Sequence, residues 1–322
     1  MRVAAAALPV SEVVGWDDVI GEQQARAERV GARLVLLHDH EYPAQLGTIP
    51  CPPPFLFVRG EIRAEDSLAV AVVGSRRATS YGLCVTAELA GDLAARGVTV
   101  VSGFARGADT AAHTAALERG GRTIAVLGCG VDIVYPPENK KLVSEVIERG
   151  ALVSQFPMGA RPLGRHFPLR NRTIAALALG TLVVEAHERS GALITAGHAG
   201  ELGREVFAVP GNVTSEASRG ANQLVQDGAK LVQGWEDIIV ELPEAWRRRL
   251  KDPEGPEGSR RPPDGEAHRL LSLVGREPVY IEQLIEASEL PAGRLAGLLM
   301  TLELEGWIRQ LPGKMYVQVS AS

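Results

Sequence analysis

Two glycine-rich loops that also contain arginine are the stretches of this chain best suited to chemistry. They read GSRR at residues 74–77 and SGFARG at residues 102–107, and each follows a short apolar run rich in valine. Glycine lets backbone N–H groups approach an anion closely, and arginine can hold a phosphate through two parallel hydrogen bonds. These residue types in this arrangement predict a crevice that binds phosphate groups.

Cations and aromatic rings accumulate in the same predicted loops. The arginines are Arg76, Arg77, Arg106, Arg161, Arg165, Arg170 and Arg172, and the rings are Tyr81, Phe104, Tyr135, Phe156 and Phe167. Taken alone, any one of them is better explained as a solvated charge or a ring packed beneath its loop. Cations for phosphates beside flat rings for bases are, however, the arrangement that binds single-stranded nucleic acid. The coincidence of the whole set favours that ligand.

Motifs for other chemistries do not occur in the sequence. The first loop lacks the second glycine of a dinucleotide-binding G-x-G-x-x-G run, and the chain contains neither a P-loop nor a G-x-S-x-G nucleophile motif. The run HDHE at residues 38–41 is interpreted as a polar turn, because no further ligands follow at the spacing of a structural metal site. We therefore expect no cofactor, no metal and no catalytic residue.

Composition limits the class of protein. The 322 residues carry a net charge of −5, so any nucleic-acid site must be a local concentration of arginine. Cys51, Cys84 and Cys129 form no C-x-x-C pair and no even disulfide set, which fits a reducing compartment. The apolar start, MRVAAAALPV, is too short to cross a membrane, and no later run of about 18 uncharged apolar residues occurs. A cytoplasmic protein without a membrane span is expected.

Periodicity predicts the elements that must position these loops. Uninterrupted apolar runs at 68–73 and 98–101 suit strands buried on both faces of a parallel sheet. Further strands at 123–127, 181–185 and 205–209 alternate with helical segments, which predicts a doubly wound, mostly parallel α/β sheet. Residues 55–59 are predicted to be an edge strand, and residues 155–168 a long loop before a helix at 170–179.

Four segments are predicted along the chain. Residues 1–45 form a short helical preface, 46–242 the α/β domain, 243–266 a linker rich in proline, glycine and charge, and 267–322 a small second domain. The second domain has the order helix, strand, helix, helix and hairpin, which is the order of a winged helix.

Specific motifs give the chain a strong resemblance to the DNA-processing protein A family, also called DprA or Smf. They are VGSR at 73–76, SGFARGADTAAH at 102–113, GCGVDIVYP at 128–136, FPLRNR at 167–172, SGALITA at 190–196, VPG at 209–211, SRG at 218–220 and GAKLV at 228–232. The resemblance runs from about residue 33 to residue 232.

The resemblance implies a non-enzymatic protein with an extended Rossmann fold that binds single-stranded DNA without sequence preference. In natural transformation it would protect incoming single strands and load the recombinase RecA onto them. It also implies a homodimer, formed around residues 196–203 and 223–232. The expected DNA-binding residues are Gly74, Ser75, Arg76, Arg106, Gly107, Arg165, Phe167, Arg170, Asn171, Arg172 and Lys230.

Two features depart from the family pattern or remain open. The helical domain that often precedes the fold in relatives is only a remnant here, and three glycines at 197, 200 and 203 make the expected dimer helix unusual. The winged helix is optional in such proteins. Its third helix, predicted at 291–305, carries Arg294 against Glu303 and Glu305, which argues against a main role in reading DNA.

Two other functions compete with this interpretation. A nucleotide hydrolase of the lysine-decarboxylase-like type has a similar fold, but its PGGxGT motif is missing here and Glu185 is left as an isolated candidate acid. A transcriptional adaptor acting through the winged helix is disfavoured by the acidity of that helix.

Overall fold

The computed structural model describes residues 16–251, 265–275, 278–288, 290–304, 307–311 and 313–318. The chain divides into two compact units, Met1–Pro253 and Glu254–Ser322. Part of the predicted helical preface, residues 1–15, lies outside the described residues. We describe each unit by itself.

The first unit is built on one nine-stranded sheet. Its strands are β1 (Ala32–Leu36), β2 (Phe55–Gly60), β3 (Ala69–Val73), β4 (Thr99–Ser102), β5 (Thr123–Val126), β6 (Gly150–Ser154), β7 (Gly180–Val183), β8 (Glu205–Ala208) and β9 (Lys230–Leu231). Their order is β1-β2-β6-β5-β4-β3-β7-β8-β9. Only the β1–β2 and β2–β6 pairs are antiparallel. The predicted doubly wound, mostly parallel sheet is therefore confirmed.

Helices cover both faces of this sheet. They are α1 (Trp16–Arg29), α2 (Ala44–Gly47), α3 (Ser80–Ala95), α4 (Ala108–Glu118), α5 (Leu142–Arg149), α6 (His166–Leu177), α7 (Gly191–Glu201), α8 (Arg219–Gln226), α9 (Trp235–Ile239) and α10 (Glu244–Arg247). Alternate residues of β3 pack into two hydrophobic cores, one on each face of the sheet. Val70 and Val72 pack with α3, α4 and α9, whereas Ala71 and Val73 pack with α6 and α7.

The position of β3 explains where a ligand can enter. The chain leaves β3 towards β4, β5 and β6 on one side, and α6 then returns it to β7 on the other side. Such a reversal of strand order opens a crevice at the carboxyl ends of the strands. The loops after β3, β4 and β5 meet at this edge, and α6 begins there as well.

Two local predictions are wrong. The strand at residues 55–59 was expected at an edge, but β2 lies between β1 and β6 and is bonded on both sides. The loop expected up to residue 168 ends earlier, because α6 begins at His166. Pro168 is compatible with the first helical turn, where no intrahelical bond from a backbone N–H is required.

The first part of the predicted linker is folded. Residues 244–247 form α10, and Trp246 and Leu250 pack against the apolar cluster that contains Ile238 and Leu242. The backbone N–H of Lys251 donates to the carbonyl of Arg96 at 2.9 Å. The charged composition of the predicted linker gave no indication that Trp246 and Leu250 would pack against the first unit.

The second unit has the predicted winged-helix order. It contains α11 (Glu266–Leu273), β10 (Val279–Tyr280), α12 (Ile281–Ser288), α13 (Ala292–Leu304), β11 (Ile308–Leu311) and β12 (Met315–Gln318), with the sheet order β10-β12-β11. Leu270, Leu284, Leu295 and Leu299 are buried at its centre. On α13, Arg294 is paired with Glu266 at 2.9 Å. Of the helices in the described ranges, none combines the length and apolar character that a membrane crossing needs.

Candidate nucleic-acid interface

A crevice opens where the loops after β3, β4 and β5 meet the first turn of α6. It is lined by Arg76, Gly103, Ala105, Arg106, Gly128, Tyr135, Pro136, Phe167 and Arg170. The lining combines three guanidinium groups and two aromatic rings with two glycines. The crevice lies at the edge of the sheet where the glycine and arginine pattern predicts a phosphate site.

Glycine allows the first two loops to touch. A Cβ atom on Gly74 would lie 2.7 Å from the Cβ of Ala108, and one on Gly107 would collide with the carbonyl oxygen of Ser75. Gly107 also has φ +75°, a conformation that side chains rarely adopt. Since the N–H of Ala108 donates to the Ser75 carbonyl at 3.2 Å, Ser75, Gly74 and Gly107 fix the loops that carry Arg76 and Arg106.

Two further glycines make room for side chains of α6. A Cβ on Gly128 would lie 2.9 Å from the Phe167 ring, and one on Gly103 would lie 2.6 Å from Nη1 of Arg170. The sequence interpretation did not select these two glycines as site residues. Their signal was their place within two residues of the ends of strands β4 and β5.

The Phe167 ring is the centre of a cluster of rings and cations. The Arg76 guanidinium carbon lies 4.9 Å from its centroid, and the Arg170 guanidinium carbon 5.7 Å. The Tyr135 ring centroid is 6.1 Å away at an interplanar angle of 42°. Phe167 is half-buried and Tyr135 is exposed. A flat ligand ring and a phosphate could thus contact adjacent side chains here.

Arg170 lies beneath the cluster of rings and cations and connects it to the ends of strands β4 and β5. Its side chain is buried, its Nη1 donates to the carbonyl oxygens of Gly103 and, at 2.6 Å, Val126, and its Nε donates to Asn171 Oδ1 at 3.1 Å. Burial lowers the pKa of Arg170 to about 10, so the guanidinium stays charged at neutral pH. Burial raises the pKa of Asp109, and the positive charge of Arg170 makes this rise smaller.

Arg76 and Arg106 differ in how much of their charge is available. Arg106 Nη2 lies 2.7 Å from Oε1 of Glu138, a partner that the sequence interpretation missed. Arg76 is exposed and, within the described part of the chain, forms no ion pair. The charge of Arg76 is therefore more available to an anion than that of Arg106.

The other predicted residues lie around or away from the crevice. Arg165 is exposed at the start of α6, and Asn171 is buried with its amide donating to the Gly191 carbonyl at 3.2 Å. Arg172 turns away from the crevice and donates to the carbonyl of Pro50 at 2.7 Å. Lys230 lies on β9 at the far edge of the sheet, 2.7 Å from Glu241. The structure therefore does not bring Arg172 and Lys230 to the crevice.

The remaining predicted rings have separate positions. Phe104 is buried with φ +58°, beside His113 at a centroid distance of 5.7 Å. Phe156 is buried and stacks on His166 at 4.2 Å. Tyr81 is exposed, and its hydroxyl donates to the carbonyl of Pro210 in the loop after β8. Of the five predicted rings, Phe167 and Tyr135 line the crevice.

Glu185, the isolated candidate acid, has local partners. It is buried, its Oε2 accepts from the Thr79 N–H at 2.8 Å, and its Oε1 accepts from the Thr79 hydroxyl at 2.6 Å. Both oxygens thus hold the residue that caps α3. Among the residues that the structure describes, no group of three His, Cys, Asp or Glu side chains could hold a metal ion.

Fold and site together define a class: an extended Rossmann-like domain with a cationic, ring-lined crevice at its strand ends, carried on one chain with a winged helix. The chain belongs to the DNA recombination-mediator protein A family, whose model matches residues 33–243. A second model, the DprA winged helix domain, matches residues 254–314. The resemblance found in the sequence motifs is confirmed.

Individual relatives support the assignment. Protein Smf of Escherichia coli is 41% identical over 294 residues, which cover 89% of this chain and 77% of that protein. The structure of DprA from Streptococcus pneumoniae matches with a TM-score of 0.66 and 39% identity over 70% of this chain and 78% of the other. A Helicobacter pylori structure, described for its single-stranded DNA binding mode, matches with a TM-score of 0.57 and 29% identity, covering 63% and 96%.

Proposed function

We propose that this protein binds single-stranded DNA, without sequence preference, in the crevice around Arg76 and Phe167. The observation that carries the proposal is the exposed Arg76 guanidinium 4.9 Å from the Phe167 ring. Arg76 holds a phosphate, and the ring stacks with a neighbouring base. The proposal is supported by the similar Helicobacter pylori protein, whose structure concerns binding of single-stranded DNA.

Preference for single strands follows from the rings. Arginine alone would hold duplex DNA at least as well, because duplex DNA has the denser charge. A base can reach Phe167 or Tyr135 only when it is unpaired, and each stacked base contributes about 1–3 kcal/mol. Ring faces and guanidinium groups contact features that all nucleotides share, so binding is expected to be independent of sequence.

We also infer that the protein is not an enzyme. The competing nucleotide hydrolase would need Glu185 as a free acid, whereas both of its oxygens bond to Thr79. We expect no turnover of ATP or nucleoside monophosphates.

Protection of incoming DNA, loading of RecA and homodimerisation belong to the same proposal. The expected dimer helix, α7, leaves Ile194 43% exposed, and a Cβ on Gly197 or Gly200 would meet no atom within 4 Å. Leu231, in the second expected segment, is 39% exposed. Apolar exposure of this kind fits an interface with a second copy. We place this activity in the cytoplasm, where RecA acts on single strands.

A salt-titrated gel shift on homopolymer and mixed single strands, run beside a hydrolysis assay, tests the proposal. We expect equal affinities for the two strands, a steep salt dependence and no hydrolysis. Turnover that disappears in Glu185→Gln would favour the hydrolase. Size-exclusion chromatography with light scattering measures the oligomeric state, and the lag before RecA assembles on the bound strand tests loading.

A further inference from the structure

We propose that helix α1 supports the DNA site, with Gln23 and Arg26 acting as positioning residues. They hold residues 157–160 so that the arginines which follow, Arg161 and Arg165, face the DNA. This inference rests on the proposed function. It gives a role to the N-terminal helix, for which the sequence suggested none.

The first contact is a hydrogen bond from the loop to α1. The backbone N–H of Met158 donates to Oε1 of Gln23 at 2.7 Å. Met158 lies between β6 and α6, outside any helix or strand, so this side chain replaces the ladder bond that a regular element would supply. Gln23 is half-buried, whereas its neighbour Gln24 is exposed.

The second contact is at Gly159. Its N–H donates to Oδ1 of Asp132 at 2.8 Å, and Nη2 of Arg26 lies 3.8 Å from Oδ2 of the same carboxylate. Gly159 has φ +77°, and a Cβ there would collide with Nη2 of Arg26. Arg26 therefore packs directly on the loop backbone while it pairs with the carboxylate that orients it.

The loop is held from its other side by the turn after β5. The N–H of Gly130 donates to the carbonyl of Ala160 at 2.8 Å. Only five residues separate Ala160 from His166, the first residue of α6, and Nδ1 of His166 lies 3.2 Å from the Gly128 carbonyl. Because this segment is short and held at both ends, a displacement of Ala160 also displaces the side chains that follow it, including Arg161 and Arg165.

Those side chains are suited to phosphate. Arg161 and Arg165 are both exposed, and neither forms an ion pair with a described residue. Phe167 follows two positions after Arg165, at the crevice itself. Loosening the attachment to α1 should therefore weaken the hold on phosphate next to the stacking ring, while the ring keeps its own support on Gly128.

The test measures binding of a labelled oligo-dT strand by the full chain over a range of salt concentrations. Gln23→Met keeps the length of the side chain but removes the acceptor, and Gln24→Met is the matched control on the same helix. We expect several-fold weaker binding for Gln23→Met, with a salt slope smaller by about 0.7 for each phosphate that is no longer neutralised. Gln24→Met should keep the original slope.

Two further measurements separate positioning from a purely structural role. In a chain that already carries Arg161→Ala and Arg165→Ala, Gln23→Met should change neither affinity nor slope. A lowered Tm with an unchanged salt slope would make Gln23 a structural residue and overturn the inference. The inference is also overturned if the Gln23→Met and Gln24→Met proteins bind single strands equally well and the unaltered chain binds them too. If the unaltered chain does not bind single strands, the proposed function fails as well.

Discussion

The Arg76 guanidinium carbon lies 4.9 Å from the centroid of the Phe167 ring, which joins the loop after β3 to the first turn of α6. A cation over a ring face is a favourable contact in itself. In the proposed function it also places the group that holds phosphate beside the ring that stacks on a base. Substituting Arg76 and Phe167 one at a time separates the phosphate contact from the stacking contact.

Arg76→Ala should weaken binding of homopolymer and mixed single strands alike. The variant lacks one charged hydrogen-bonding group, so we expect about a tenfold decrease in affinity and a salt slope smaller by about 0.7. The measurement is a salt-titrated gel shift. Arg247→Ala, an equal charge change on α10, is the control and should bind normally. Unchanged binding by folded Arg76→Ala would remove this loop from the DNA site.

Phe167→Ala should reduce affinity for single strands far more than any affinity for duplex, because about 1–3 kcal/mol of stacking is removed. Phe167→Trp should bind well. Phe167→Leu separates the alternatives, since it restores apolar packing over Gly128 without a ring. Fluorescence anisotropy on both DNA forms gives the ratio, and thermal melting reports packing. If Phe167→Leu bound like the unaltered chain, the ring would be a packing residue only.

Ending the chain after Lys251 should preserve the first unit, whereas ending it after Leu242 should not. The shorter form lacks Trp246 and Leu250, which cover the cluster around Ile238. We expect it to be less stable by about 2 kcal/mol in urea unfolding. The longer form should keep most of the single-strand affinity. A collapse of binding in a well-folded 1–251 form would assign DNA binding to the winged helix.

Asp66→Asn should destabilise the protein without altering the DNA site. Asp66 is buried, and its two oxygens accept from Nε and Nη2 of Arg122, each at 2.8 Å. Breaking a buried pair leaves Arg122 partly uncompensated and costs about 3 kcal/mol. Because Asp66 precedes β3, it lies at the edge opposite the crevice. Urea unfolding should therefore change while DNA affinity, measured below the unfolding transition, stays constant.

His113 should make stability depend on pH. Burial, assisted by the charge of Arg170, lowers its pKa from 6.5 to about 3. The unfolded chain then binds a proton that the folded chain does not, so stability is complete above pH 6.5 and falls as the pH drops towards 3. The slope reaches about 1.4 kcal/mol per pH unit.

Unfolding between about pH 5 and 6.5 measures this slope before most carboxylates titrate. His113→Asn should flatten it. Equal slopes in the unaltered chain and His113→Asn would contradict the assignment.

The sequence was most informative where one local rule decides the structure. The uninterrupted run of β3 indicated a strand buried on both faces, and the loop with arginine after it indicated the crevice that Arg76 lines. It was less informative where partners lie far apart in the chain. Nothing in residues 55–60 shows that β6 will pair with them. Phe167 looked like a loop residue because glycine and proline surround it, although proline is acceptable in a first helical turn.

Burial and pairing of the arginines could not be predicted either. Arg170 and Arg76 have the same chemistry in the sequence, yet one is enclosed beneath the crevice and the other is exposed. The family motif included Lys230, but position in a motif does not give position in space. Only the order of the strands shows that β9 lies at the far edge.

The two outer strands bear on how copies of the protein can meet. An exposed strand edge can pair with a strand of another molecule, and short or charged edges oppose such pairing. At one end, Arg33 of β1 pairs with Glu41 at 2.6 Å; at the other, β9 is two residues long and carries the ion-paired Lys230. Both edges thus discourage strand-to-strand fusion and aggregation. The proposed dimer would then form through side-chain contacts of α7 and Leu231, without pairing of strand edges between the two copies.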